Sequence, residues 1–555
     1  MIHIRVEPAG IDIQVDKGKT LLEGLKHAGL ILEKPCSGMG LCGECGIWVF
    51  PPDALSSTPH KNINPEDDTK GLRLACQAVP EENITIQVPD HLLYEPGKSR
   101  DLILMQSPRP CPETLDPAVY VTTDNRCTRL WRSGTSEPAI LSDWKPGFRP
   151  RGLAIDIGTT TLVIALVCLE TGIVLASNAD LNPQVIHGHD VLTRIQYASA
   201  QDRLSEMASL VRERLNSLIA GVCESSQTRP REIIDVVIGA NTTMLQLAAG
   251  MDSSSMGRSP FNFDILGSCS HDAAVFGLKV NRAAKIYLPP ILHAFVGTDI
   301  SAGLAVCPDF FNKNRTVLFI DMGTNGEICL NIKGRLYAAS TAAGPAFEGT
   351  GISSGMRAKI GAVDRVEYDG KTFSFHTLGN DTAKGICGSG IIDFLAALLK
   401  AGYMDASGRL LDKEPGHDFL VQADGLSKIR YGHNLYFTQK DIRQVQLAKS
   451  AIRSGVDLLL SYGGITPSQV DLVFLSGGFG NSLDTGNLSR IGLLAEGLAQ
   501  RLVFCGNTSI NGGIELLTHC HRRHWLETHL DKVQYVSLAQ TSGFMDAFMA
   551  NLGFP

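Results

Sequence analysis

The sequence predicts a multidomain chain of α+β and α/β type: a small mixed-sheet domain, then a larger module built from two similar halves. Three observations predict it. Residues 1–92 alternate apolar and polar side chains in short runs around one helical stripe. Residues 93–150 hold eight of the 26 prolines and carry no helical stripe. Beyond them an Asp-x-Gly-Thr turn recurs after 165 residues, each time at the end of an apolar strand. The expected organisation is a domain at 1–92, a partly packed proline-rich linker at 93–150, and a module at 151–555 with halves at about 151–315 and 316–555. A chain of 555 residues has room for several cores. Its net charge of −7 argues against nucleic acid as a partner, because phosphate binding needs a basic excess. No uncharged apolar run reaches the ~18 residues that span a bilayer. The start, MIHIRVEPAG, lacks a basic n-region and an apolar h-region, so a cytoplasmic location is expected. In such a compartment the 14 cysteines read as reduced thiols or metal ligands.

In the first domain, Ile2–Val6 and Ile11–Val15 alternate on either side of a Pro-Ala-Gly turn, which is a hairpin pattern. Thr20 is placed to cap a helix carrying Leu21, Leu22, Leu25 and Leu30. Gly46–Phe50 and Ile84–Val88 supply two further strands, and a mixed sheet gripping one helix satisfies all these elements. Within the domain, Cys36, Cys42 and Cys45 stand at C-x5-C-x2-C spacing, and Cys76 follows after a gap of thirty. Four thiolates converging on two irons suit a [2Fe–2S] cluster, whose plant-type spacing is C-x4-C-x2-C with a remote fourth cysteine. Gly38, Gly40 and Gly43 let the loop curl closely around such a group. Zinc is the competing metal, although its ligands usually come as two paired knuckles; buried structural thiols are the plain alternative. The stretch resembles the [2Fe–2S] ferredoxin-like domains of β-grasp fold, including their x5 variant. It carries 13 acidic and 8 basic side chains, fit either for a basic reductase or simply for solvent.

From Leu93 to Pro150 the composition reads as an extended linker, with Trp131 and Trp144 too apolar for a free coil. The repeat then begins. Leu153-Ala-Ile-Asp156-Ile-Gly158-Thr159-Thr160 returns as Leu318-Phe-Ile-Asp321-Met-Gly323-Thr324-Asn325. Such a strand-and-turn unit can offer N–H groups and hydroxyls to phosphate oxygens, while its aspartate holds Mg²⁺ or orients water. A single copy is equally an ordinary hairpin with an Asx turn, but two copies at matching places favour a phosphate site. Val473-Phe-Leu-Ser476-Gly477-Gly478 is a buried strand opening into a glycine turn on which a flat adenine ring can lie. Gly388-Ser389-Gly390, ahead of the stripe Ile391–Leu399, is a further glycine turn where two halves can hinge. Asn241 and Asp299 line a cleft or cap helices with equal claim. Glu348, in Ala343-Gly-Pro-Ala-Phe-Glu348-Gly, is the spare carboxylate for catalysis, or else a surface loop residue.

As an ordered set these motifs resemble those of the acetate kinase/sugar kinase/Hsp70/actin superfamily, whose fold is a duplicated ribonuclease-H-like domain with ATP between its halves. The resemblance places Asp156, Gly158, Thr159 and Thr160 in the first phosphate motif and Asp321, Gly323, Thr324 and Asn325 in the second. It places Gly477 and Gly478 at the adenosine and counts Gly388 and Ser389 with the nucleotide turns. Asp156, Asp321 and Glu348 become the candidate catalytic carboxylates. The pairing of a ferredoxin-like domain with an ATPase, together with Asn182-Pro-Gln184 and Thr341-Ala-Ala-Gly-Pro-Ala-Phe-Glu-Gly349, resembles the reductive activators of corrinoid enzymes over about 1–92 and 151–555. That resemblance implies ATP-dependent return of one electron from a [2Fe–2S] cluster to a Co(II) corrinoid, restoring Co(I) for methyl transfer. The implied cofactors are the cluster, ATP and Mg²⁺. The implied partners are a corrinoid-binding protein or corrinoid-dependent methyltransferase and an upstream reductase, with a homodimer as the candidate assembly and no membrane partner. Two departures are expected: no middle domain between linker and ATPase, and a single cluster, since Cys505 and Cys520 stand alone in sequence. The polar stretch Ser340–Thr350 is the candidate corrinoid-facing loop, and equally a core-facing hairpin. The rival readings are an ATP-coupled donor to another low-potential acceptor and a small-molecule kinase with a redox-sensing domain.

Overall fold

Alternation of apolar side chains builds the first sheet. Ile2, Ile4 and Val6 are buried along Ile2–Glu7, which pairs antiparallel with Ile11–Val15 and parallel with Ile84–Gln87. Gly46–Phe50 and Leu72–Leu74 complete a five-stranded mixed sheet. The helix Leu21–His27 lies on it through Leu21 and Leu25. Its start is a capping box: the Thr20 hydroxyl accepts from the Glu23 N–H, and the Glu23 carboxylate accepts from the Thr20 N–H. The computed structural model describes residues 1–28, 30–32, 45–55, 63, 68–89, 93–94, 114–123, 128–132, 139–144, 148–188, 190–200, 202–411, 420–423, 426–432, 434–477 and 483–555. Cys36, Cys42 and Gly478 lie outside the described residues.

The connector differs from the extended tether its prolines suggest. Val119–Thr123, Thr128–Arg132 and Ala139–Trp144 form an antiparallel sheet with Thr128–Arg132 in the middle. Runs such as Val-Tyr-Val-Thr-Thr favour extended backbone and outweigh the local prolines. The connector is also anchored: the Asp116 N–H donates to the Thr518 carbonyl, and the Asp116 carbonyl accepts from Cys520 N–H.

The two halves of the larger module repeat one topology. In the first, Val174–Leu181, Thr161–Cys168 and Arg151–Ile157 run antiparallel, and Ile233–Ala240 and Lys285–Leu288 continue parallel to Arg151–Ile157. In the second, Arg335–Thr341, Gly326–Ile332 and Thr316–Met322 are antiparallel, and Leu472–Gly477 and Leu502–Gly506 continue in parallel. The central strands are apolar almost throughout and are buried on both faces, as parallel sheets covered by helices require. Each half then sends one helix into the space between them, Thr298–Ala305 from the first and Thr508–Thr518 from the second. These two helices pack closely, since a Cβ on Gly512 would fall 1.8 Å from the Ala302 carbonyl oxygen and one on Gly303 2.5 Å from the Thr508 hydroxyl. Among the described residues no helix is long and apolar enough to cross a membrane.

Candidate functional site: a carboxylate cleft and a thiol pair

Asp156 and Asp321 occupy equivalent places, one residue from the carboxyl ends of Arg151–Ile157 and Thr316–Met322. Pairing to the neighbouring parallel strand sets Asp156 opposite Gly239 and Asp321 opposite Ser476. The copies satisfy their aspartates differently. Ser476 Oγ donates directly to Asp321 at 2.9 Å. Gly239 has no side chain to donate, and its missing Cβ admits Ser509 instead, whose Oγ would stand 2.3 Å from such a Cβ. Ser509 Oγ and Asn507 Nδ2 each donate to Asp156 at 2.9 Å. Both belong to the start of the helix Thr508–Thr518, which Asn507 caps. The first half's aspartate is thus held by the last third of the chain.

The turns that follow the two aspartates meet. Thr160 Oγ1 and Thr324 Oγ1 are 3.2 Å apart, and the Thr324 hydroxyl donates to Glu348 Oε1 at 3.2 Å. Glu348 is therefore in the cleft and not on a remote surface loop. Each turn closes on itself, Gly158 N–H to the Thr161 carbonyl at 2.9 Å and Gly323 N–H to the Asn325 carbonyl at 3.0 Å. Behind the first turn, Asn182 Nδ2 donates to the Gly158 carbonyl at 2.8 Å. The fully buried Arg194 donates to the Thr159 carbonyl at 2.5 Å, and burial lowers its guanidinium to about 9. From the second half, Arg357 Nη2 reaches the Thr160 carbonyl at 3.4 Å.

The cleft gathers buried carboxylates whose charges act on one another. Asp299, in the first turn of Thr298–Ala305, is pushed up to about 8 by burial and by the charges of Asp321 and Asp156. Asp321 is pushed up to about 6 by burial and by Asp156 and Glu348, against the opposing pull of the Ser476 hydroxyl. Burial also raises Asp156, countered by Asn507 and Ser509. Glu327 stands well above the usual carboxylate range through burial and the charges of Asp299 and Asp321. Like charges held together this way relax when a divalent cation joins them, and oxygen donors of this kind suit Mg²⁺.

Gly477 ends its strand at φ +141, backbone that favours glycine. The Gly388–Gly390 segment is not the free glycine turn its sequence suggests. It is the first turn of the helix Gly388–Ala401, buried because Gly390 must approach the Val363 carbonyl, which a Cβ would meet at 2.2 Å. Among the described residues no bond joins Gly388 or Ser389 to the carboxylates. Sequence reasoning missed Ser476, Asn507, Ser509 and Arg357 as site residues and left Asp299 undecided. The Asn507-Thr-Ser509 cap straight after a strand was the one local signal.

In the first domain, Cys45 and Cys76 are both buried, and their sulfurs lie 3.3 Å apart. That is beyond a disulfide bond but close to the ~3.8 Å between two thiolates on one tetrahedral ion with ~2.3 Å bonds. Two buried thiols with no disulfide between them fit a shared iron.

Comparison with known proteins follows these features. A model of a 2Fe-2S iron-sulfur cluster binding domain matches residues 4–81. The model of the RACo middle region matches 151–308, and that of the C-terminal domain of RACo, the ASKHA domain, matches 315–555. The chain is 33% identical over 430 residues to the corrinoid activation enzyme RamQ of Eubacterium limosum, covering 73% of this chain and 70% of the relative. It belongs to the corrinoid activation enzyme family. The activator is also 28% identical over 304 residues to the [Co(II) methylated amine-specific corrinoid protein] reductase of Methanosarcina barkeri, across 50% of this chain and 53% of that one. A solved reductive activator for corrinoid, iron-sulfur protein superposes on it with a TM-score of 0.75 at 27% identity, covering 100% of this chain and 98% of the other. The match at 151–308 falls on the stretch that the repeat gives as the first half of the larger module, not on a further domain ahead of it. The activator thus joins a 2Fe-2S cluster-binding domain to an ATP-binding ASKHA module.

Proposed function

We propose that the protein carries out ATP-dependent reductive activation of a corrinoid protein, returning one electron to an inactive Co(II) centre. The observation that carries this reading is the contact of Thr160 with Thr324, which joins both phosphate turns into one cleft on a chain that also holds the Cys45–Cys76 pair. Cys45 and Cys76 would hold one iron of a [2Fe–2S] group, with Cys36 and Cys42 as the remaining ligands. When bound, that group supplies a one-electron donor.

The chain's own residues do the remaining work. The Gly158–Thr160 and Gly323–Asn325 turns offer N–H groups and hydroxyls to the ATP phosphates, and Gly477 and Gly478 make room for the adenosine. Asp156 and Asp321 take Mg²⁺ or its waters, their carboxylates aimed by Asn507, Ser509 and Ser476. Glu348, fixed by the Thr324 hydroxyl, orients the attacking water. Arg357 reaches across from the second half and draws the halves together on the nucleotide. Such a closure supplies the drive that an uphill transfer needs, ~1.4 kcal/mol for every ~59 mV in a one-electron step. The same reading takes the electron from an upstream reductase and delivers it to a corrinoid-binding protein or methyltransferase.

The test mixes reduced protein, MgATP and a Co(II) corrinoid protein and follows the visible band of Co(I). Co(I) should appear only with ATP present. Equal formation without ATP would refute the coupling.

A further inference from the structure

Two cysteines outside the redox domain face each other where the halves of the module meet. Cys307 follows the helix Thr298–Ala305 and is buried in the core shared by the two halves. Cys505 lies on the strand Leu502–Gly506 of the second half and is partly exposed. Their sulfurs are 4.0 Å apart, a gap that side-chain rotation can close to the ~2.05 Å of a disulfide. Sequence gave no hint of the pairing, because 198 residues separate the two.

The chemistry of the two thiols differs in the way an oxidation needs. The Cys307 S–H donates to Cys505, which holds the Cys505 thiol below its ordinary range, while the same bond and burial hold Cys307 well above it. Elsewhere burial and neighbouring carboxylates raise the thiols: Cys223 is pushed up to about 11 beside Glu232, and Cys329 higher still beside Glu327, Asp321 and Asp299. Cys505 thus combines partial exposure with a thiol held below its ordinary range, the two conditions that favour an oxidisable cysteine. Cys307 sits behind it as the resolving thiol.

Position gives the pair its consequence. Cys505 lies two residues before Asn507 and four before Ser509, the donors to Asp156. Cys307 lies two residues beyond the helix that carries Asp299 in its first turn. The helices Thr298–Ala305 and Thr508–Thr518 already touch at Gly512 and Gly303, so a bond at their shared end cannot be relieved by sliding.

We infer that Cys505 and Cys307 form a peroxide-oxidisable pair whose disulfide ties the first half of the module to the second and stops nucleotide turnover. The Cys505 thiolate attacks one oxygen of a hydroperoxide, giving a sulfenic acid and releasing the other oxygen as water or alcohol. The Cys307 thiol then attacks the Cys505 sulfur, forming the S–S bond and releasing water. Two electrons and two thiol protons pass to the peroxide. The effect on turnover rests on the ATP reading above; formation of the bond does not.

The experiment exposes the full-length protein to hydrogen peroxide, blocks remaining thiols by alkylation and maps the peptides. ATP hydrolysis is followed on the same samples. Expected are a peptide joining residues 307 and 505, loss of hydrolysis, and recovery of both thiols and hydrolysis with dithiothreitol. Cys307→Ala should hydrolyse ATP like the parent and lose none of that activity reversibly on the same treatment. Alkylated Cys307 and Cys505 after peroxide would overturn the pairing. A joined peptide with undiminished hydrolysis would overturn its consequence. Failure of the untreated, reduced protein to bind ATP would sink the nucleotide reading, while the peptide map would still report the bond.

Discussion

Replacing Gly512 by alanine sets two energies against each other, and the structure decides the sign. Helix propensity alone favours alanine over glycine by ~0.8–1.0 kcal/mol. The added Cβ, however, would stand 1.8 Å from the Ala302 carbonyl oxygen and 2.3 Å from its carbon. Both are backbone atoms that no rotamer change can move, so the helices Thr508–Thr518 and Thr298–Ala305 must part. Overpacking of this kind costs ~1–3 kcal/mol, and a backbone clash this severe belongs at the upper end. The expected net loss of stability is about 2 kcal/mol. Ser509 lies one turn earlier on the same helix, and its hydrogen bond to Asp156 is 2.9 Å long, so the shift carries it out of range. Losing a bond to a charged acceptor costs ~1.5–3 kcal/mol, which is roughly a ten- to hundredfold loss of nucleotide affinity. Urea unfolding followed by circular dichroism and calorimetric titration with MgATP measure the two effects. Gly221→Ala is the control: its Cβ would meet only the movable Asn178 side chain, so propensity should win. If Gly512→Ala proves as stable as the parent and binds ATP as tightly, the close helix contact does not set the site.

Other substitutions separate the two modules. Cys45→Ser should abolish the visible absorbance of the cluster and reduction of Co(II) while leaving ATP affinity unchanged; parallel loss of both would count against the division of labour. Asp321→Ala should do the reverse, keeping the absorbance and losing ATP-dependent reduction. Arg357→Ala should weaken ATP more than ADP, by about tenfold if the guanidinium forms one charged contact to the terminal phosphate; equal weakening would place Arg357 elsewhere. Stability should also depend on pH through Asp441, which burial pushes up to about 6 despite donors from Thr438 and Ser353. A raised carboxyl favours the protonated form in the fold, so stability should fall as pH rises from ~4 to ~6, by at most about 3 kcal/mol at ~1.4 kcal/mol per pKa unit. Urea titrations across that range should show the slope, and Asp441→Ala should reduce it, the remainder coming from the raised carboxyls of the cleft.

Much of this was legible because it was local. Strand alternation gave the first sheet, Thr20 and Glu23 gave the helix start, and two Asp-x-Gly-Thr phrases gave the duplicated module and its two aspartates. What escaped depended on distance. Asn507 and Ser509 acquire their role from an aspartate some 350 residues earlier, and Ser476 from register with a strand 155 residues away. The connector misled because prolines were weighed above the β-branched runs between them. Gly388–Gly390 misled because glycines that permit close packing look the same in sequence as glycines that turn the chain.

The crossing of the helix Thr508–Thr518 into the first half has a consequence for how the protein is made. Asp156 finds its partners 351 and 353 residues downstream, and Arg523 beyond them pairs with Asp235 of the same sheet. On a ribosome moving at ~5–20 residues per second, Asp156 waits roughly 20–70 s for the donors that complete it. During that interval its sheet can form, but the buried carboxylates of Asp156 and Asp235 have no donors from the missing helices. An early stop codon anywhere before residue 507 therefore removes both donors to the first half's aspartate, although that half itself would be complete.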